Sequence, residues 1–151
     1  MSAKALQQCL VGLSPKEWYV LLNGKVFFWV REARLVRLPG ARAYRSRPHL
    51  VIRADTRTLV QWHGSRITLS SINSGATFGG AGTKRGIKTF QTIEEYPLEE
   101  MLEKKHEDAV VELAVDYAVP DIVQIAYCVE EWANGKCSRV LWRSKRLRHQ
   151  L

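Results

Sequence analysis

The sequence predicts an α+β domain of short N-terminal helices followed by a mostly antiparallel β-sheet with helical inserts. Three observations predict it. Helix-start chemistry is concentrated early, where Ser14-Pro15-Lys16-Glu17 combines a capping serine, a proline at the first helical position and a glutamate three residues on from the cap. Runs of strand-forming residues dominate the last third of the chain. Between two of those runs, Asn134-Gly135 is the pair favoured in a two-residue hairpin turn. With 151 residues the expected organisation is one domain, residues 1–142, and a basic C-terminal tail, residues 143–151.

Taken in order, Ser2 caps a first helix through about residue 12, with Leu6, Cys9, Leu10 and Leu13 at helical spacing. The helix opened by Ser14 carries Trp18, Leu21 and Leu22 on one face and stops at Asn23-Gly24. Lys25 to Val30 is apolar on both strand faces, the pattern of a central, covered strand. Arg31 to Leu38 reads as a helix ended by Pro39-Gly40, and the Arg-rich stretch from Ala41 to Pro48 as a loop. His49 to Arg53 is a strand, Asp55 caps a short helix bearing Leu59 and Trp62, and Arg66 to Ser70 is another strand. Five glycines between residues 74 and 86 mark a long, mobile surface loop, after which Ile87 to Ile93 re-enters the sheet. Pro97 opens a helix with Leu98, Met101 and Leu102 inward. Ala109 to Asp116 is a strand, followed by a run from Ile122 to Val129 and a hairpin partner at Ser138 to Trp142.

A composition of 46% hydrophobic and 25% charged residues excludes wholesale disorder. The net charge of +8 is unevenly spread: residues 1–93 carry 15 basic and 3 acidic side chains, residues 94–131 carry 2 and 12, and residues 132–151 carry 6 and none. That distribution suits a phosphate-bearing partner, either a nucleotide or a nucleic acid, and disfavours a uniformly basic polymer binder. No apolar run approaches the ~20 residues that span a bilayer, so no membrane partner is expected. The N-terminus lacks a secretory signal, and three cysteines at unrelated spacings give neither a disulfide framework nor a zinc site. A cytoplasmic monomer is the expectation, with the cysteines acting as small buried hydrophobes.

Several constellations invite chemistry. Gly82-Thr83-Lys84 is only a near miss to a phosphate-binding P-loop, and Gly80-x-Gly82 lacks the third glycine of a dinucleotide fingerprint. The loop is therefore either plain and flexible or a lid presenting Lys84 and Arg85 to a substrate. Arg31, Arg34 and Arg37 share one side of their helix, with Arg42, Arg45, Arg47, Arg53 and Arg57 close behind. They form either a solvated face or a groove that grips phosphate bidentately. The four histidines show no metal-ligand spacing, no metal is expected, and no Ser or Cys neighbour suggests a nucleophilic triad. Glu112 is harder to place. Its strand is apolar on both faces, so its carboxylate must be paired or open into a cleft, because burying it alone costs several kcal/mol.

Two stretches together resemble the ADP-ribosyltransferase-like fold, particularly small members related to DNA-modifying toxins: the aromatic strand and helix from Asn23 to Leu35, and the glutamate-bearing strand and turn from Val111 to Ile122. Trp18-Tyr19, Leu22-Asn23-Gly24, Phe27-Phe28-Trp29, Ser71 to Ala76 and the Glu112 strand also resemble a bacterial family of unknown function, over roughly residues 5–130. The wider resemblance implies a split sheet and NAD as the ligand, with ADP-ribose transferred as nicotinamide leaves. It implies Glu112 as the catalytic carboxylate, Phe28 or Trp29 as the wall of the nicotinamide pocket, Ser74 in cofactor contact, and Arg31 and Arg34 on the pyrophosphate. The His or Arg with which the fold's first strand anchors the ribose has no counterpart ahead of the aromatic strand, leaving a retained or a degenerate activity as the two outcomes. The alternative is a non-catalytic nucleic-acid-binding or protein-interaction module built on the arginine-rich surface.

Overall fold

Ser14 begins its helix as its neighbours dictate. In the computed structural model, which describes residues 3–37, 47–75 and 83–145, the Ser14 hydroxyl accepts the Glu17 amide at 3.3 Å. The Glu17 carboxylate accepts the Ser14 amide in return at 2.7 Å. These bonds hold the Glu17 carboxyl below its ordinary range and satisfy two donors that a helix start otherwise leaves open. The chain runs through α1 (Ala3–Cys9), α2 (Pro15–Asn23), β1 (Lys25–Trp29), α3 (Glu32–Arg37), β2 (His49–Ala54), α4 (Thr56–His63) and β3 (Ile67–Ser70). It continues with β4 (Gln91–Thr92), α5 (Leu98–Lys105), β5 (Glu112–Asp116), α6 (Ile122–Ile125), β6 (Ala126–Ala133) and β7 (Lys136–Arg143). The architecture is α+β and antiparallel, as the sequence predicts, with the strands divided between two sheets. Among the described residues no helix is long and apolar enough to cross a membrane.

The chain forms two compact units, each drawn from two separated stretches. The first comprises Met1–Val30 and Ser65–Ala118. Its sheet has the order β1-β5-β3-β4. β5 is flanked on both sides, and Glu112, Leu113, Ala114 and Val115 are all buried. Leu6, Cys9, Trp18, Ile67 and Val111 complete the core. The second unit comprises Arg31–Gly64 and Val119–Leu151, with the sheet β2-β6-β7 and a core of Leu59, Ile125, Cys128 and Trp132. Asp55 caps α4 by accepting the Thr58 amide at 2.8 Å. Asn134 and Gly135 both have positive φ (52° and 75°) and close the β6–β7 hairpin in two residues, the geometry for which Asn-Gly is selected.

Several sequence expectations need correcting. β1 is not central: it pairs with β5 alone among the described strands, and Phe27 is 38% exposed. An apolar pattern on both faces reports cover from helices and loops, here Phe90 against Phe27 at 6.0 Å, and does not report a second neighbouring strand. α5 buries no residue; Leu98 and Leu102 are 44% and 47% exposed. The apolar anchor at this point is Tyr96, whose buried hydroxyl donates to the Ala109 carbonyl. The run expected as a strand from Ile122 splits into α6 and β6, with Ile125 fully buried at the junction. Only Gln91 and Thr92 of residues 87–93 join the sheet, because Ile87–Thr89 forms a 3₁₀ turn. At the end of the glycine segment, Arg85 and Gly86 are buried rather than part of a free surface loop. Cys9 and Cys128 are buried, whereas Cys137 is exposed. The Arg-rich loop through Arg42 and Arg45, most of the glycine segment and the tail from residue 146 lie outside the described residues.

Candidate functional site

Glu112 begins β5, and strand register decides what surrounds it. Directly opposed residues in an antiparallel pair project from the same face. Trp29 of β1 and Ser70 of β3 both stand opposite Glu112. Phe28 stands opposite Leu113, so it projects from the other face, beside Leu69. Of the two aromatics expected near the carboxylate, the fold places Trp29 on its face and Phe28 on the opposite one.

That face is closed in two ways. Towards the Asp116 end, Phe90 lies 6.0 Å from both Trp18 and Phe27 and carries the Lys25 ammonium 4.9 Å from its ring centre. Lys25 in turn pairs with Asp116 at 2.5 Å and donates to the Thr68 hydroxyl at 3.2 Å. Towards the Glu112 end the cover is the turn after β3. Ser70 organises it, its hydroxyl donating to the Ile72 carbonyl at 3.1 Å and accepting the Ile72 amide at 3.3 Å, a local arrangement short hydroxyl side chains favour. The turn brings the amide of buried Ser74 to 3.1 Å from Glu112 Oε2. Glu112 is only 4% exposed, so the carboxylate is held by backbone donation beneath the Ser70–Gly75 turn. Two of the expected site residues, Glu112 and Ser74, are therefore in direct contact.

The far side of the same turn touches a cation. Arg85, itself buried, donates to the Asn73 carbonyl at 3.5 Å and to the Thr83 carbonyl at 2.8 Å. A cavity of about 470 Å³ opens here, lined by Ser71, Ile72, Lys84, Arg85, Lys88 and Tyr96 among others, and Glu112 is not one of its walls. Burial pushes the Tyr96 phenol up, with a hydrogen bond to Ser71 opposing it.

Arg31 and Arg34 lie in the second unit and are half-buried. In that unit the sequence reading missed a polar cluster. Ala126, Cys128, Glu130 and Trp132 alternate along the buried face of β6. Glu130 receives Arg53 Nε at 3.0 Å and the Trp132 indole N–H at 2.8 Å, and Arg53 also reaches Glu32 at 3.2 Å. Burial alone would raise the Glu130 carboxyl, but the Trp132 and Arg53 contacts outweigh it and the group sits below its ordinary range. Desolvation lowers the Arg53 guanidinium, but its hydrogen bonds to Glu32 and Glu130 outweigh that and raise it. Burial and the adjacent Glu130 push the Cys128 thiol up. Arg53, one of the arginines read as either a solvated face or a phosphate groove, is thus engaged by Glu130 and Glu32. Arg66 donates to the Asp116 and Ala118 carbonyls, both at 2.9 Å. His63 meets Asp121 at 2.8 Å. The signal for Glu130 was present as a carboxylate on the apolar phase of a period-two strand.

Among the described residues no group of three or more His, Cys, Asp or Glu is placed to hold a metal ion. Comparison with curated proteins and with solved structures finds no match. The model of a family of unknown function, DUF7002, matches residues 1–126, a span that takes in every element from α1 through α6, and the chain belongs to that family.

Proposed function

We propose that the first unit is an ADP-ribosyltransferase-like domain that binds NAD or a related nucleotide, with Glu112 as its functional carboxylate. The observation that carries the reading is the buried Glu112 carboxylate fixed by the Ser74 amide. A charged group in that position is costly to maintain unless it is partnered, and a backbone donor fixes its orientation as well as its charge. A carboxylate so oriented suits chemistry in which a ribosyl cation develops as nicotinamide departs, since preorganised negative charge stabilises such a centre. In this reading Trp29, on the same face as Glu112, supplies the aromatic wall. Ser74 positions the carboxylate through its main chain and borders the ligand. The proposal rests on the first unit's residues alone and leaves Arg31 and Arg34 outside it. The nucleic-acid alternative is weakened because Arg53 and Arg66, two cations it would draw on, are committed to internal partners.

The test is turnover of NAD labelled in the nicotinamide ring. Wild-type protein is expected to bind NAD saturably and release nicotinamide. Glu112→Gln, which keeps the shape and the acceptor for Ser74, is expected to lower turnover by roughly 10²–10³-fold while binding persists. Absence of saturable binding, or turnover that Glu112→Gln leaves unchanged, would refute the reading.

A further inference from the structure

Residues 67–93 contain no Asp or Glu but do contain Lys84, Arg85 and Lys88, and the fold gathers all three cations around the 470 Å³ cavity of the first unit. No acidic side chain is among the lining residues. The basic segment is pinned by its backbone. The Arg85 amide donates to the Cys9 carbonyl at 2.8 Å and the Val11 amide donates to the Arg85 carbonyl at 2.7 Å, a parallel bridge onto the chain leaving α1. The next residue must be glycine, because a Cβ at Gly86 would stand 2.5 Å from the Val11 carbonyl oxygen. Arg85 is 5% exposed, with its guanidinium oriented by the Thr83 and Asn73 carbonyls, while Lys84 and Lys88 are exposed. Val11, Ile72, Ile87 and the Tyr96 ring provide an apolar wall to the same cavity.

We propose that this cavity binds a small phosphorylated molecule, with its phosphoryl group held by Lys84 and Lys88 in the field of the buried Arg85. The exposed Lys84 and Lys88 ammonium groups are the direct ligands for an oxyanion, and the buried Arg85 guanidinium, whose terminal nitrogens donate to the Thr83 and Asn73 carbonyls, adds a fixed positive charge to the wall. The volume falls within the range of ~300–1,000 Å³ typical of small-molecule sites, so the body of the ligand is of nucleotide size and rests on the apolar wall. Glu112 is not part of this cavity, and the assignment does not depend on NAD chemistry.

Titration calorimetry with adenosine 5′-monophosphate, inorganic pyrophosphate and adenosine tests it. The monophosphate is expected to bind saturably and the uncharged nucleoside at least about tenfold more weakly, the loss of one charge-assisted contact. Lys84→Ala/Lys88→Ala, which alters two exposed side chains, is expected to weaken the monophosphate by about tenfold or more, and Lys84→Arg/Lys88→Arg to restore it. Monophosphate binding that depends on Lys84 and Lys88 in protein that releases no nicotinamide would uphold this assignment and refute the NAD reading, so the two readings fail separately. The proposal is overturned if neither phosphate ligand binds, if adenosine binds as tightly as its monophosphate, or if the double alanine variant binds unchanged. Binding of a single-stranded oligonucleotide without binding of the small phosphates would assign the cations to a polymer and overturn it equally.

Discussion

Replacing Glu130 by alanine is expected to destabilise the second unit by about 3 kcal/mol, read from urea unfolding. The carboxylate holds both the Arg53 guanidinium and the Trp132 indole N–H, so its removal strands two donors, one of them charged, in a mostly buried setting. Breaking a buried pair from one side costs roughly 3–5 kcal/mol, and the low end applies because Arg53 keeps some solvent contact and a second partner in Glu32. Arg53→Ala should cost a similar amount, and the double variant less than the two together, because they remove one interaction. Unchanged stability, or strict additivity, would contradict this account. The sign of the pH dependence follows from the depressed carboxyl of Glu130. Its contribution is complete above the ordinary carboxylate value of about 4.3 and disappears as pH falls through the lower folded-state value. The stability gap between wild type and Glu130→Gln should therefore narrow on acidification, not widen.

Trp18→Ala is expected to cost about 4 kcal/mol in the first unit, the range for emptying a fully buried aromatic site. Trp18 stacks on Phe90 at 6.0 Å and through it supports the Lys25–Asp116 end of the sheet. Its indole nitrogen is buried without a hydrogen-bond partner among the described residues. An orphaned buried donor carries a penalty of ~1–3 kcal/mol. Trp18→Phe removes that donor along with part of the ring, and is expected to cost only about 1 kcal/mol because relief of the penalty offsets lost packing. A phenylalanine variant as unstable as the alanine variant would show that the indole N–H is satisfied in solution.

What was legible in the sequence was local. The Ser14 and Asp55 caps, the Asn134-Gly135 turn and the doubly covered β5 strand each follow from chemistry within a few residues, and each is present. What was not legible was long-range. Lys25–Trp29 shows apolar character on both faces whether it is central or at an edge, and only the pairing order resolves it. Leu98 and Leu102 have the right spacing for a buried stripe, but spacing cannot reveal that Tyr96 has already anchored that segment. For the site, the unusual position of Glu112 is readable from strand alternation, whereas the resemblance offers Ser74 only as a cofactor contact and its hydrogen bond to Glu112 is a long-range feature. The separation of Phe28 from Trp29 was also implicit in the period of two, since adjacent strand residues cannot share a face. The cavity around Arg85 depends on a backbone bridge between residues about 75 apart in sequence; its local signature, Lys84 and Arg85 at the end of a glycine-rich segment, reads equally as a plain loop or as a lid.

The most direct measurement of the central claim, that Glu112 and the Ser74 turn form a nucleotide-contacting site, is an NMR titration of ¹⁵N-labelled protein with NAD. The Ser74 amide and the Trp29 indole resonance are expected to shift together along one saturable curve in wild type. Spectra in which neither resonance moves, at NAD concentrations that saturate any other shift, would contradict it.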